Sequence, residues 1–186
     1  MKKLITIILL LFLSFSYGQK RELRNANKFY DSGEFSSALD LLESSKVLFD
    51  SSDDKVKSQQ MLLYGKIHTS MQDFSLAMEA FNISKDLGIS SDQLGPELMR
   101  LENSIITNAI ADQESGNSLD AAIKLKMAYD LNPEVNQDYL YFAAGNAVNS
   151  INYSLALEYY LLLRDINYDG VTTKFYITEV ESGNEI

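Results

Sequence analysis

Apolar positions along this 186-residue chain recur with the spacing of amphipathic helices, and one short pattern occurs three times. The stretch "GEFSSALDLL" at 33–42 is echoed by "QDFSLAMEAF" at 72–81 and by "INYSLALEYY" at 151–160. In each, an aromatic residue precedes an alanine by three positions, and a large apolar residue follows that alanine by four. These spacings place the three residues on one face of a helix. The pattern therefore predicts an amphipathic helix at each site.

A second helix is predicted before each of these, because a small residue lies twelve positions before each alanine. The pairs are Ala26 with Ala38, Gly65 with Ala77, Ala109 with Ala121, and Ala144 with Ala156. Small residues on two neighbouring helices allow the helices to cross closely. Polar turns lie between the members of each pair: "DSGE" at 31–34, "SMQD" at 70–73, "ESGN" at 114–117 and "NSIN" at 149–152. The chain is therefore predicted to form four helical hairpins.

The large apolar residues that follow the alanines extend the pattern to all four hairpins. They are Leu42, Phe81, Leu125 and Tyr160, and the aromatic residues before the alanines are Phe35, Phe74 and Tyr153. Pro133, twelve residues after Ala121, is expected to end its helix. The alanines are 39, 44 and 35 residues apart, so extra residues are expected in loops or lengthened helices between the first three hairpins. Ser51 or Ser52 is expected to cap the following helix, with Asp53 and Asp54 in its first turn.

Helical hairpins of about 34 residues with these small residues resemble the tetratricopeptide repeat (TPR). The resemblance covers four units, at about 20–50, 56–90, 94–133 and 134–168. Units two and four match best, while unit three has Ser118 where an aromatic residue is expected. It implies an all-α fold, a helical-hairpin solenoid (α-α superhelix) spanning 19–168. The chain is also similar to the N-terminal part of exported TPR proteins of flavobacterial type, which are longer, so this likeness implies a fragment.

Stacked repeats of this family form a concave groove that is lined by the first helix of each unit. The resemblance therefore implies a protein-protein interaction scaffold that binds a protein or peptide segment in this groove. The alternative is a non-catalytic appendage of a larger envelope enzyme or machine whose active part lies beyond residue 186. The register implies the following groove residues: Asn27, Tyr30, Gln59, Leu62, Lys66, Thr69, Asn103, Ile106, Ile110, Asp138, Tyr141 and Val148.

The first 18 residues have the layout of a secretory signal peptide. Lys2 and Lys3 precede an apolar run from Leu4 to Leu13, and small residues at Ser16 and Gly18 precede a cleavage position before Gln19. The run is shorter than the roughly 20 residues that a membrane helix needs. Residues 1–18 are therefore expected to direct export to the periplasm or cell envelope and to be removed, with no membrane insertion afterwards.

Composition narrows the range of partners. The formal charge of −10 becomes −12 when Lys2 and Lys3 are removed with the signal peptide. A strongly acidic chain is poorly suited to binding nucleic-acid phosphates or an anionic membrane surface. The chain has no cysteine, so no disulfide can stabilise it in an oxidising compartment, and the fold is expected to depend on buried apolar surface.

The sequence offers little for catalysis. His68 is the only histidine and is expected to be a packing residue, because no partner for metal binding or acid-base chemistry is recognisable near it. The motifs of nucleophile elbows and phosphate-binding loops are missing. The chain is therefore expected not to be an enzyme, to bind no cofactor or metal, and to have no small-molecule substrate.

The segment 169–186 departs from the helical pattern. From Val171 to Val180 β-branched and aromatic residues alternate, which predicts a short β-strand, and "ESGNE" then predicts a turn. A strand needs a hydrogen-bonding partner, so we expect a second strand in a longer natural chain. The alternative is that the segment packs as an extended tail on the last helix.

Overall fold

The computed structural model describes residues 18–170, and this part of the chain is almost entirely helical. The prediction of an all-α fold is confirmed over this range, in which no β-strand occurs. Residues 1–17 of the predicted signal peptide and the predicted strand and turn at 171–186 lie outside the described residues. The helices, in chain order, are α1 at 18–31, α2 Phe35–Ser44, α3 Lys46–Asp50, α4 Asp54–Met71, α5 Phe74–Asp86, α6 Ser91–Glu114, α7 Ser118–Leu131, α8 Gln137–Asn149 and α9 Tyr153–Asp165.

All four predicted turns are confirmed, and each contains one residue with left-handed backbone geometry. That residue stands five positions before the repeated alanine in every case. The four are Gly33 (φ 79°), Gln72 (φ 66°), Gly116 (φ 83°) and Ile151 (φ 62°). Glycine adopts this conformation without steric cost, whereas a β-branched side chain is strained there. The last turn therefore carries local strain that the first and third turns avoid.

Replacing Ile151 with glycine is expected to raise the free energy of unfolding by about 1 kcal/mol. The Ile151 side chain is mostly exposed, so little packing is lost when it is removed. Urea denaturation monitored by circular dichroism measures the change. Gln72→Gly is the matched control and should give a smaller gain, since glutamine is not β-branched. A loss of stability in Ile151→Gly would contradict the assignment of strain to this turn.

The eight small residues of the repeat pattern are all buried. Ala26, Ala38, Ala77, Ala121 and Ala144 have no exposed surface, and the remaining three are almost fully covered. At Gly65 an added Cβ atom would lie only 2.3 Å from Cε1 of Phe81. The contact that joins α4 to α5 therefore depends on the missing side chain at position 65.

The large residues four positions after the alanines are buried in the first three hairpins and exposed in the last. Leu42, Phe81 and Leu125 lie in the core, whereas Tyr160 is 42% exposed, as is Tyr153 at 64%. In α9, Ala156 is buried in the cluster with α8, whereas the two tyrosines remain largely exposed. Among the described residues no helix follows α9 to cover them.

The extra residues between hairpins lie in helices, as the pattern allowed. The short helix α3 occupies the first insertion, and α6 is lengthened to 24 residues in the second. The helix α7 ends at Leu131, two residues before Pro133, as predicted. The predicted capping of α4 was wrong. Asp53 itself is the N-cap, because its carboxylate accepts a 2.8 Å bond from the Val56 N–H, while Ser52 donates its hydroxyl to the Phe49 carbonyl.

The buried residues form three apolar clusters that follow one another along the chain. One joins α1 to α4, the next joins α4 to α7, and the third joins α6 to α9. Extensive helix contacts join α4 with α5, α6 with α7, α7 with α8 and α8 with α9, and α2 also packs against α4. From α4 onward, close packing therefore joins mainly helices that are neighbours in sequence. Among the helices of residues 18–170, none is long and apolar enough to span a bilayer.

Candidate functional site

Three helices enclose a small open cavity in the first half of the chain, here called the polar cleft. Its volume is about 250 Å³. Four of the predicted groove residues line it, which places residues that are distant in sequence side by side. Its lining consists of Asn27 from α1, Gln59, Leu62, Leu63 and Lys66 from α4, and Gln93 and Glu97 from α6.

Helical spacing explains how α4 and α6 present these side chains. On α4, Leu62 and Lys66 follow Gln59 by three and seven positions. On α6, Glu97 follows Gln93 by four. Each set therefore lies along one helix face. Leu62 is buried and belongs to the central apolar cluster, so it forms part of the cleft floor. The polar residues beside it form the walls.

Polar contacts join the cleft walls. The Gln59 amide donates to the Gln93 side-chain oxygen at 3.2 Å, and Lys66 Nζ lies 3.8 Å from Glu97 Oε1. The same ammonium group lies 4.6 Å from the centre of the Tyr30 ring. A cation at this distance from an aromatic face is attracted to it. Lys66 is therefore oriented by a carboxylate on α6 and by an aromatic ring on α1.

Tyr30 reaches the cleft region although most of its surface is buried. Its hydroxyl accepts a 2.7 Å hydrogen bond from Nη1 of Arg100, which lies on α6 one turn beyond Glu97. The ring also contacts Phe35 at a centroid distance of 5.6 Å. Tyr30 thus connects the first hairpin with the third and fixes one side of the Lys66 ammonium group.

The groove residues predicted from the sequence do not include Gln93, Glu97 or Arg100. The family register assigns groove positions in the third unit only from Asn103 onward. A signal was present, because polar residues at 93, 97 and 100 have the spacing of one helix face. Pro96 lies among them, however, and a proline is more typical of the start of a helix than of its interior. In the structure α6 begins five residues earlier, at Ser91.

Other predicted groove residues lie apart from the polar cleft. Thr69 is buried, and its hydroxyl donates to the Gly65 carbonyl at 2.7 Å, so it is used inside α4. Asn103 is exposed, and Ile106 is partly buried against the central apolar cluster. Ile110 and Val148 are exposed on α6 and α8. None of these five residues belongs to the lining of the polar cleft.

Asp138 and Tyr141 lie instead at the start of α8, where they contact Tyr168. The Tyr168 hydroxyl donates to Asp138 Oδ1 at 2.6 Å, and the rings of Tyr141 and Tyr168 are 5.9 Å apart. The hydrogen bond to the carboxylate, followed by burial, raises the pKa of Tyr168 to about 12. The phenol therefore stays protonated even above the ordinary pKa of tyrosine, and its hydrogen bond anchors the chain that follows α9. Tyr168 is not among the site residues predicted from the sequence.

His68 lies on another side of α4 from the cleft residues. It is buried, its ring stacks on Tyr64 at 6.1 Å, and Nδ1 lies 3.4 Å from Asp73 Oδ2. Burial, with the Glu43 carboxylate as a lesser cause, raises the pKa of Tyr64 to about 12. The histidine therefore packs against a neutral tyrosine, in the turn region between α4 and α5.

Comparison with known proteins assigns no family to this arrangement. No protein-family description matches the chain, and no curated protein matches it.

Proposed function

We propose that this chain is an exported scaffold, a helical-hairpin solenoid of the TPR type, which holds a segment of another protein in the polar cleft. The observation that carries the proposal is the convergence of Asn27, Gln59 and Lys66. The repeat register alone predicted these three residues. Asn27 lies on α1 and the other two on α4, about 30 residues further along the chain, and all three line one cavity.

The chemistry of the cleft suits a polypeptide segment. Asn27, Gln59 and Gln93 offer amide groups, which can donate to peptide carbonyls and accept from peptide N–H groups. Lys66 and Glu97 already oppose each other, so the lining attracts neither a strong anion nor a strong cation. Leu62 supplies an apolar floor. Such a surface recognises an extended, mostly uncharged segment better than it recognises a phosphate or a metal ion.

The cavity is small, and this also favours a segment of a larger partner. A volume of about 250 Å³ lies below the usual range for enclosing a drug-sized ligand. The cleft can take one or two side chains of a partner whose remaining residues lie along the outside. We expect such a partner in the periplasm or cell envelope, because the sequence of residues 1–18 has the layout of an export signal.

The proposal predicts that Lys66→Ala weakens partner retention by at least about tenfold, which corresponds to about 1.4 kcal/mol. The substitution removes an ammonium group that Glu97 and Tyr30 orient and that can donate hydrogen bonds to peptide carbonyls of the partner. The measurement is quantitative mass spectrometry of the proteins that immobilised residues 19–186 retain from an envelope extract.

Lys126→Ala is the matched control. Lys126 has the same side-chain exposure as Lys66, 21%, and likewise pairs with a carboxylate and lies over a tyrosine ring, in its case Asp130 and Tyr129. It lies on α7, outside the cleft, so retention should match that of the unmodified chain. If Lys66→Ala and Lys126→Ala retain the same partner equally well, or if the unmodified chain retains none, the cleft has no binding role.

A further inference from the structure

A second cavity lies between α4 and α5, on another side of α4 from the polar cleft, and is here called the α4/α5 cavity. Its volume is about 210 Å³. Polar residues four positions apart on α4 form one wall, since this spacing places them on one helix face. The opposite wall comes from α5 and is mostly apolar. The lining consists of Gln60, Met61, Tyr64 and His68 on α4, Leu76, Glu79, Ala80 and Ile83 on α5, and Lys46 and Asp50 on α3.

Three polar groups of the α4 wall have no hydrogen-bond partner within residues 18–170. They are the Gln60 amide, the Tyr64 hydroxyl and the His68 Nε2 atom. Gln60 is only 4% exposed and His68 only 9% exposed. Buried polar groups in folded proteins are normally hydrogen-bonded, and leaving them unpaired is costly. These groups are therefore available to a molecule that enters the cavity.

The small side chain of Ala80 leaves room for this cavity. Ala80 lies twelve residues after His68, and in the other three hairpins the same separation leads to a large side chain. The equivalent pairs are Phe29 with Leu41, Asp112 with Lys124, and Ala147 with Tyr159. The second of these is an ion pair, and the third packs in one apolar cluster. Among the four hairpins of residues 18–170, the second alone therefore combines a polar residue on its first helix with a small one opposite.

The hydrogen-bonding groups of the α4 wall favour a ligand that donates. Nδ1 of His68 lies 3.4 Å from Asp73 Oδ2, and a carboxylate at this nitrogen favours the tautomer with its proton on Nδ1. The free Nε2 atom is then an acceptor. The Gln60 side-chain oxygen accepts as well. An N–H group of a ligand is the natural partner of both.

The charged groups around the cavity favour a cation over an anion. Lys46 Nζ lies 2.8 and 2.9 Å from the two carboxylate oxygens of Asp50, so its charge is already balanced. Glu79 is exposed at the rim and has no cationic partner within residues 18–170. The Glu43 carboxylate adds to burial in raising the pKa of Tyr64, so it acts on the same region. The surroundings of the cavity are therefore net negative.

We propose that the α4/α5 cavity binds a small aromatic amine, with its ring against the apolar α5 wall and its N–H groups toward α4 and Glu79. The size is suitable, because a cavity of about 150 Å³ holds a single benzene ring. The acidic rim favours a free amine over an aromatic side chain of a partner protein, since such a side chain is uncharged. The amine is bound and not converted. This inference does not depend on the polar cleft or on its partner.

The absence of tryptophan from the chain provides a direct test. The indole fluorescence of tryptamine can be followed without indole emission from the protein, so its anisotropy reports binding to residues 19–186. We expect saturable binding with a Kd of about 1 mM or tighter, which is the range for a ligand of this size. Indole-3-acetate has the same ring and the opposite charge, and it should bind at least about fivefold more weakly.

Two glutamate variants locate the charge preference. Glu79→Gln should weaken tryptamine binding about threefold while leaving the helix content unchanged, because Glu79 is exposed. Glu158→Gln is the matched control and should have no effect, since Glu158 is exposed at the same position of α9. Equal affinities of these two variants for tryptamine would overturn the proposal, and so would equal binding of tryptamine and indole-3-acetate.

A third variant tests the cavity itself. Ala80→Leu introduces the residue that the first hairpin has at this position, Leu41, and should fill the cavity and abolish tryptamine binding. Circular dichroism checks that the variant is folded, and if it is not, the two glutamate variants decide. Unchanged binding to folded Ala80→Leu would place tryptamine elsewhere and would overturn the proposal, as would the absence of saturable binding to the unmodified chain.

Discussion

Replacing Phe81 with alanine is expected to lower the free energy of unfolding by about 3–5 kcal/mol. Phe81 is 1% exposed and belongs to the cluster that joins α4, α5 and α6. Its ring lies directly against the backbone of α4 at Gly65. Removal of the ring leaves a cavity bounded by helices that are held by their other contacts, so the surroundings can close only in part. Urea denaturation should show a lower midpoint at an unchanged slope.

Phe142→Ala is the matched control, since it removes the same ring from a half-exposed site. Phe142 is 51% exposed on α8. Its loss should cost less than about 1 kcal/mol, because little buried area disappears. Similar losses from both substitutions would mean that the contact between α4 and α5 contributes less to stability than its burial indicates.

Gly65→Ala is expected to lower the free energy of unfolding by about 1–3 kcal/mol, although alanine is the better helix former. The added Cβ atom would meet the Phe81 ring at 2.3–2.7 Å, which is well inside van der Waals contact. Either the ring leaves its position or α4 and α5 move apart. Both changes disturb the apolar cluster to which Phe81 belongs. The measurement is again the free energy of unfolding in urea.

Gly145→Ala provides a control with the opposite expected sign. Gly145 also lies within a helix, α8, but an added Cβ atom there meets nothing within 4 Å. This substitution should therefore raise stability by about 0.5–1 kcal/mol. A further check is Gly65→Ala combined with Phe81→Leu, which should cost less than the sum of the two single changes. Strict additivity, or a gain in stability from Gly65→Ala alone, would contradict the close contact.

The positions of the four turns and the buried small residues could be predicted because they depend on short-range geometry. A helical hairpin brings together residues about twelve positions apart, so Gly65 and Ala77 leave a regular trace along the chain. Left-handed residues at 33, 72, 116 and 151 keep the same distance from the repeated alanine. Even the tyrosines of α9 share one helix face, as their spacing requires.

The candidate site was predictable only in part. Asn27, Gln59 and Lys66 followed from the register of the first two units. The third wall did not, because Gln93 and Glu97 lie in the lengthened beginning of α6, where an inserted stretch has no counterpart in the other hairpins. The register also selected Thr69, whose hydroxyl bonds within its own helix. A repeat pattern cannot distinguish a cleft residue such as Lys66 from Thr69, since both residues occupy regular positions of α4.

The sequence by itself determined the helical class, the positions of the four turns and the small residues at the crossings, because periodicity and turn chemistry act over a dozen residues or fewer. Only the tertiary structure decided which helices enclose the polar cleft, that Lys66 lies between Glu97 and Tyr30, and that the outer face of α9 is uncovered by residues 18–170. Those features depend on how insertions shift one hairpin against the next. Contacts between residues 30 or more positions apart set that arrangement, and no local spacing records them.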